Sequence, residues 1–568
     1  MKRAVLATLI ALCALPSPVA AATGGRAGAA AEPARADEKG LSAADRRDWR
    51  RAIAIASRTE SVRSQSRRYR GLRSTSFARE GSCCMTVWFT VRGRPRAAVE
   101  VDLRTGRIHE QWSGWQAGWE MARGYEGDFG RSFNSPWVLI PLGLLFLAPF
   151  FDPRRPFRLL HLDLLVLLGF GLSHVLFNDG KIGASVPLVY PFLAYLLGRM
   201  LIAGFRPRTR AERLVPLAPA AWLVVGALIL FGARVALNVV DSNVIDVGYA
   251  GVIGANHVAH GDELYDGRFA ADPPAGDTYG PVTYLAYLPF ERTIGWSGRW
   301  DDVPAAHAAA IAFDLLTMLG LFLLGRRLAR RAGNGAARAR EGTVLGGALA
   351  FAWTAYPYSL FALMTNSNDT LVAALLVFAL LALTSAPGRG ALVALAAAAK
   401  VAPAALAPVF LNPAGDRRAR GPLLFALAFV AVLAATVLPF LPPGGLHELY
   451  DRTLGFQLRR ESPFSVWGQD PSLDWLHVLV EVAAVNLAAI LILVPARKAP
   501  PQVAALAAAV LIALQLAAVH WFYLYVVWFA PLVLVALFSA HQPAAAPTAP
   551  TTAPGPPHPR AEPAPQQP

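Results

Sequence analysis

The chain has 568 residues, of which 55% are hydrophobic and only 16% charged, and its mean hydropathy is +0.39. That composition excludes an ordinary soluble protein and fits an all-α polytopic membrane protein. The net charge of +15 does not imply a nucleic-acid partner: beyond the first quarter the arginines fall in short clusters between apolar runs, the positive-inside pattern.

Lys2-Arg3, the apolar run Ala4–Leu15, Pro16 and the small-residue site Ala20-Ala21-Ala22 predict a signal peptide over residues 1–22. Residues 23–134 are then expected to form an exported α+β domain. Thr23 to Gly40 is Ala/Gly/Arg/Glu-rich and reads as flexible, whereas Ser42–Arg58 reads as a helix with Ser42 as its N-cap and Asp45 three residues on. Met85–Val91 and Ala97–Leu103 read as short strands breaking at Thr105-Gly106. The order helix, strand, strand with Val99-Glu-Val-Asp-Leu-Arg-Thr-Gly106 resembles small PepSY-like domains. Of three cysteines, Cys13 lies in the leader and Cys83-Cys84 are adjacent; two buried thiols are expected there in preference to a vicinal disulfide.

From Ser135 the chain enters the membrane, and the arginine clusters mark the cytoplasmic ends. Spans are expected over Pro136–Phe151, Leu159–Phe177, Val186–Phe205, Leu214–Val240, Ala305–Leu324, Val344–Leu363, Thr370–Leu383, Leu423–Leu441, Leu476–Val494, Val503–Val519 and Tyr523–Ser539. Val282–Phe290 is expected to be an interfacial helix. A single crossing at Ala391–Leu411 would put Arg417, Arg418 and Arg420 outside, so a re-entrant hairpin with Lys400 and Pro403 near its apex is expected there. The sum is about eleven spans and one hairpin. The Pro/Ala-rich tail 541–568 cannot bury a core and is expected to be disordered and cytoplasmic.

This topology puts one polar loop, Asp241–Val303, wholly outside, with Asp246-Val-Gly-Tyr249, His260-Gly-Asp-Glu-Leu-Tyr-Asp266 and Tyr279-Gly-Pro281. Acids at the mouth of a membrane helix are costly unless they face water or do chemistry. Asp246, Asn366, Asn368, Asp369, Lys400, Arg459, Arg460 and His520 all fall at outer ends of helices or on outer loops. A carboxylate facing several cations suits a phosphate-bearing substrate, the acid taking a proton and the cations holding an anionic leaving group. Plainer roles exist for each. Asp246 can cap a helix, Asn366, Asn368 and Asp369 can do likewise, Lys400 can snorkel, Arg459 and Arg460 can contact headgroups, and His520 sits in an aromatic cluster with Trp521, Tyr523 and Tyr525.

Asp246-x-x-Tyr249, Gly261-x-x-Leu-Tyr265, Tyr279-Gly-Pro281, Asn366-x-x-Asp369, Lys400-x-x-Pro403 and Arg460-x-Ser-Pro463 together resemble the polytopic GT-C glycosyltransferases of family 87, which include polyprenyl-phosphate-mannose mannosyltransferases. The resemblance spans roughly Leu214–Ser539 and makes residues 214–540 a GT-C-like core, preceded by a three-helix module over 135–213. It implies transfer of a sugar, mannose first, from a polyprenyl phosphate to a lipid or glycan acceptor on the outer face of a bacterial plasma membrane. Asp246 matches the family's catalytic acid, with Asp241 as the rival base. Lys400, Arg459, Arg460 and His520 are then donor-phosphate ligands, and Tyr249, Tyr265, Tyr279, Asn366, Asn368 and Asp369 substrate contacts. This chain has Tyr279-Gly-Pro281 where family members commonly have Tyr-Pro-Pro.

No Asp-x-Asp triplet, Gly-rich phosphate loop or dinucleotide fingerprint occurs, which argues against a metal-bound nucleotide sugar. No cofactor is required, although Asp262-Glu263 and Asp301-Asp302 leave metal assistance open. A lipid-linked glycan flippase would show internal repeats with matched broken helices, and none is found. A membrane-anchored sensor or scaffold would not need polar residues on so many spans.

Overall fold

The computed structural model describes residues 43–541, except 81–82, 125–128, 209–212, 216–218, 266–268, 270–275, 299–302, 330–335, 415, 417–419 and 461. The expected leader, the stretch to Gly40, the Ser42 cap, Asp266, Asp301, Asp302 and the tail from 542 lie outside the described residues. The protein is a polytopic α-helical membrane protein with a small amino-terminal α+β region.

That region holds two helices, Ala43–Ala56 and Glu60–Arg68, and one antiparallel sheet in the order β1 (Arg73–Glu80), β2 (Cys84–Val91), β3 (Arg94–Asp102), β4 (Ile108–Ser113). The two central strands were legible from their alternation: Met85, Val87 and Phe89 face the same way as Ala97, Val99 and Val101, and bury against Trp49, Ala52, Ala56 and Val62 of the helices. The hairpin joining them turns at Arg92-Gly93, both at positive φ (53° and 81°), while Gly106 at φ 74° belongs to the next turn, from β3 to β4. Cys83 and Cys84 form a vicinal disulfide, which corrects the expectation of two thiols. The other face of the sheet carries the one-turn helix Trp115–Gly118, held by the Trp88 indole donating to the Ala117 carbonyl at 3.2 Å.

Among the described residues, seven helices are long and apolar enough to cross a membrane: Leu159–Asn178, Ile182–Phe205, Ala221–Asp241, Pro304–Ala329, Gly421–Phe440, Pro471–Ile490 and Pro500–Ala517. This is fewer than the about eleven expected. Pro136–Phe150, Asp369–Leu381 and Tyr523–Ser539 are shorter apolar helices. The expected span 344–363 divides into Ala336–Ala355 and Pro357–Met364, because Pro357 has no amide hydrogen and forces Tyr356 into an extended conformation (φ −74°, ψ 124°). The expected interfacial helix lies within Pro281–Ile294, but it is preceded by a helix read as loop, Asp246–His260.

Outward-facing leucines and valines remain uncovered, such as Leu427 at 58% and Val430 at 62% exposure, as a surface solvated by lipid tails requires. The centre of the bundle is Pro500–Ala517 and Val526–Ser539, buried along nearly their whole length. Charges inside it are paired. Arg234 meets Asp314 at 3.0 Å, and Asp314 also accepts from the Trp353 indole at 2.8 Å, tying three helices together at one buried point.

The segment around Lys400 turns back on itself. Helix Ala386–Ala399 ends at Lys400, whose backbone is extended (φ −138°, ψ 135°), and the chain continues through Ala402–Leu406 and Ala407–Leu411. Arg389, near the start of the outgoing arm, donates to the carbonyls of Phe410 (2.9 Å) and Leu411 (3.2 Å) and pairs with Asp416 (2.9 Å) at the end of the returning one. Both arms therefore begin and end together, with Lys400 at the far end. The free carbonyls of such a break need protein partners at membrane depth, and the Ala399 carbonyl receives both the Gly280 amide (3.1 Å) and the Thr283 hydroxyl (2.9 Å).

Candidate active site

The site is built on the turn Thr365–Asp369. Asn366 sits at φ 49°, a left-handed conformation that asparagine tolerates better than most residues. Its amide group donates to the Ser242 hydroxyl (3.0 Å) and the Asn243 carbonyl (2.9 Å) and accepts from Asn238 (2.8 Å). Backbone bonds from Asn243 to Met364 (3.1 Å) and from Ile245 to Thr365 (3.2 Å) complete the clamp. Asn368 donates to the Val247 carbonyl at 3.3 Å. The turn thus fixes the strand-like stretch 242–245 and, immediately after it, the start of helix Asp246–His260.

Gly248 explains the spacing of Asp246-Val-Gly-Tyr249. A β-carbon at this position would lie 2.3 Å from the Asn366 carbonyl oxygen, so only glycine lets the first helical turn rest on the clamp. Gly280 has the same role in Tyr279-Gly-Pro281: a β-carbon there would lie 2.0 Å from the Ala398 carbonyl, at the apex of the hairpin. The departure from Tyr-Pro-Pro is where the loop meets Lys400's helix.

Asp246 is the first residue of its helix and opens onto a small cavity of about 50 Å³ whose walls include Tyr279, Phe456, Gln457 and Arg460. Its carboxylate accepts from the Val247 amide at 2.9 Å. The side chain is accessible from the cavity, yet protein surrounds it elsewhere, so burial raises its proton affinity. Arg460, the Val247 amide and Lys400 act against that rise, and Asp369 adds to it. A carboxylate held above its usual range beside a guanidinium has the character of a general base facing an anion site.

Lys400 lies between Asp369 and two aromatic faces. Its ammonium is 2.5 Å from the Asp369 carboxylate, 5.4 Å from the Tyr279 ring centre and 5.3 Å from that of Trp528. Trp528 also donates its indole N–H to Asp369 at 2.8 Å, and the Ser367 hydroxyl bonds the other carboxylate oxygen. The anion that a lysine in an alanine-rich run requires is therefore present within the protein, as Asp369.

Neighbouring Arg459 and Arg460 part company. Arg459 is half exposed and pairs with Asp451 at 3.1 Å, away from the cavity, whereas Arg460 lines it. Arg460 makes no ion pair with a described residue; its guanidinium packs over the rings of Trp119 (5.4 Å) and Phe456 (5.9 Å). His520 is bonded to the Ser462 hydroxyl at 2.9 Å and flanked by Trp119 and Phe464. Burial, with Arg460 adding to it, holds His520 far below the usual histidine range, which favours the neutral imidazole.

The remaining expected residues are structural in their contacts. Tyr265 donates to the Tyr279 carbonyl at 2.8 Å, and Tyr249 is buried edge-on against Trp296. Asp241 ends its helix 3.9 Å from Arg131 and does not line the cavity. Among the described residues no cluster of three or more His, Cys, Asp or Glu side chains could hold a metal ion.

Sequence reasoning missed several participants. Trp528 and Trp119 had no spacing signal linking them to the charged groups they contact. Arg452 joins Asp277 (2.7 Å) to Glu448 (2.9 Å), fastening the loop that carries Phe456 and Arg460 over the loop that carries Tyr279. A five-residue π-helical turn, Asp451–Gly455, carries that fastening, and such turns recur at functional sites.

Residues 278–541 match glycosyltransferase family 87. Tyr279, Asn366, Asn368, Asp369, Lys400, Arg459, Arg460 and His520 lie inside the match; Asp241, Asp246, Tyr249 and Tyr265 precede it. No curated protein matches the chain.

Proposed function

We propose that this membrane glycosyltransferase, a family 87 enzyme by its residues 278–541, transfers a sugar, mannose in the first instance, from a polyprenyl-phosphate donor to a lipid or glycan acceptor on the extracytoplasmic face. The observation that carries the reading is one cavity walled by both Asp246, with its raised proton affinity, and Arg460, a guanidinium with no carboxylate paired to it among the described residues.

In this reading the acceptor hydroxyl gives its proton to Asp246 and its oxygen attacks the anomeric carbon. The bond from that carbon to the phosphate oxygen breaks, and its electron pair leaves with the polyprenyl phosphate. Arg460 balances the charge gathering on the departing oxygen. A single attack inverts the anomeric centre. Lys400, engaged by Asp369, acts on the site at one remove by holding Tyr279 and the hairpin apex in place, and adds positive potential near Asp246. Asn366 and Asn368 position Asp246 through the backbone.

The test traces a radiolabelled polyprenyl-phosphate sugar into membrane lipid or glycan with the full-length protein. Transfer by the wild type and its loss in Asp246→Asn, at equal protein level, is the expected result. An Asp246→Asn protein that transfers normally would refute the base assignment, and a wild type that ignores polyprenyl-phosphate sugars would refute the donor class.

A further inference from the structure

The part of the chain ahead of the first apolar helix contacts the surroundings of the cavity at two places. Trp119 comes directly after the helix Trp115–Gly118, which is packed on the sheet, and its ring lies 5.4 Å from the Arg460 guanidinium and 5.9 Å from the His520 ring. Phe464 meets the same indole edge-on at 5.4 Å. Farther along, the Gly130 amide donates to Asn243 at 2.9 Å, next to the clamp that sets Asp246. On either side of Trp119 the chain is anchored to the bundle: Gln116 donates to the Gly180 carbonyl at 3.2 Å, and a β-carbon on Gly124 would lie 2.2 Å from the Gly180 nitrogen.

Arg460 is thus held chiefly by aromatic faces, where a partner carboxylate would have neutralised it. An indole face attracts a guanidinium without consuming its charge or occupying its planar donors, so the arginine stays oriented and free to bind an anion. Neutral His520, packed against the same Trp119 ring, adds no competing charge.

We infer that the amino-terminal α+β region is a working part of the site, with Trp119 as a positioning residue that orients Arg460 toward the phosphate of the donor. The inference rests on the proposed role of Arg460 as an anion ligand.

The experiment uses the full-length protein in detergent and a short-chain polyprenyl monophosphate as probe. Trp119→Leu keeps an apolar but smaller side chain without a π face, Trp119→Phe keeps an aromatic face, and Arg460→Gln removes the charge. Trp119→Leu is expected to weaken probe binding about tenfold, the scale of one desolvated cation–π contact. Trp119→Phe is expected to restore most of it, and Trp119→Leu combined with Arg460→Gln to bind no worse than Arg460→Gln alone. Unchanged binding in Trp119→Leu, failure of Trp119→Phe to rescue, or additive losses in the double variant would overturn the inference. The same proteins are compared by melting temperature, which needs no ligand. Should the wild type not bind the probe, non-additive melting shifts would retain Trp119 as the brace of Arg460 while the donor reading falls; additive shifts would end both.

Discussion

Lys400 and Asp369 form a 2.5 Å ion pair where the hairpin apex meets the turn that orients Asp246. Neither residue is more than about a tenth exposed, so each depends on the other for compensation. Removing one charge from such a pair costs roughly 3–5 kcal/mol, because the remaining one is left buried and alone. Lys400→Met should therefore lower the melting temperature and the folded yield in detergent, and Asp369→Asn in the same chain should recover a substantial part of the loss. A double variant no more stable than Lys400→Met alone would show that the pair is not an isolated unit.

Asp246→Asn keeps shape and removes the base, so transfer should fall by roughly 10²–10⁴-fold with folding intact. Asp241→Asn should be mild, since that carboxylate faces Arg131 outside the cavity. The measurement is sugar transfer at matched protein level; the reverse ranking would move the base to Asp241.

The two adjacent arginines should separate cleanly. Arg460→Gln is expected to raise the KM for the donor and lower kcat, at about 1.5–3 kcal/mol for a lost charge-assisted contact. Arg459→Gln, which breaks only an exposed pair with Asp451, should change transfer by less than about twofold. Equal effects in the two variants would mean that the cavity wall is not where the anion sits.

Burial raises the proton affinity of Asp246 and Arg460 lowers it. The base works when deprotonated, so activity should rise with pH along a limb lying above the ordinary carboxylate range. Removing Arg460 takes away a lowering influence, and the limb in Arg460→Gln should shift to higher pH. The check is kcat/KM against pH for both proteins; a limb that stays in place would uncouple the two residues.

Gly248→Ala places a methyl group against the Asn366 carbonyl, at a starting distance of 2.3 Å that backbone atoms must relieve by moving apart. Because Asp246 lies on the same helical turn, transfer should fall at least about tenfold, the size of effect that a small misplacement of a reacting group produces. Retained activity would show that the helix can shift without disturbing its carboxylate.

The membrane class and the alternation of the two central strands were legible in the sequence, because hydropathy and side-chain period act locally. So was the turn-back at Lys400, since the arginines on both flanks favour two arms that start and finish together. The number of long helices was not: Tyr356-Pro357 breaks one apolar run without altering its hydropathy, and Pro136–Phe150, Asp369–Leu381 and Tyr523–Ser539 are shorter than the seven long helices. Nor could the sequence separate Arg459 from Arg460, neutral His520 from a cation, or Lys400 bound to substrate from Lys400 bound to Asp369. Those are decided by which groups converge after folding: Asp369, Lys400 and Trp528 are far apart in the chain but share one buried contact, and Trp119 of the amino-terminal region reaches Arg460 near the other end of the chain. Residue type states what charge a side chain can carry; only the packed partners fix whether that charge is spent within the protein or left for a ligand.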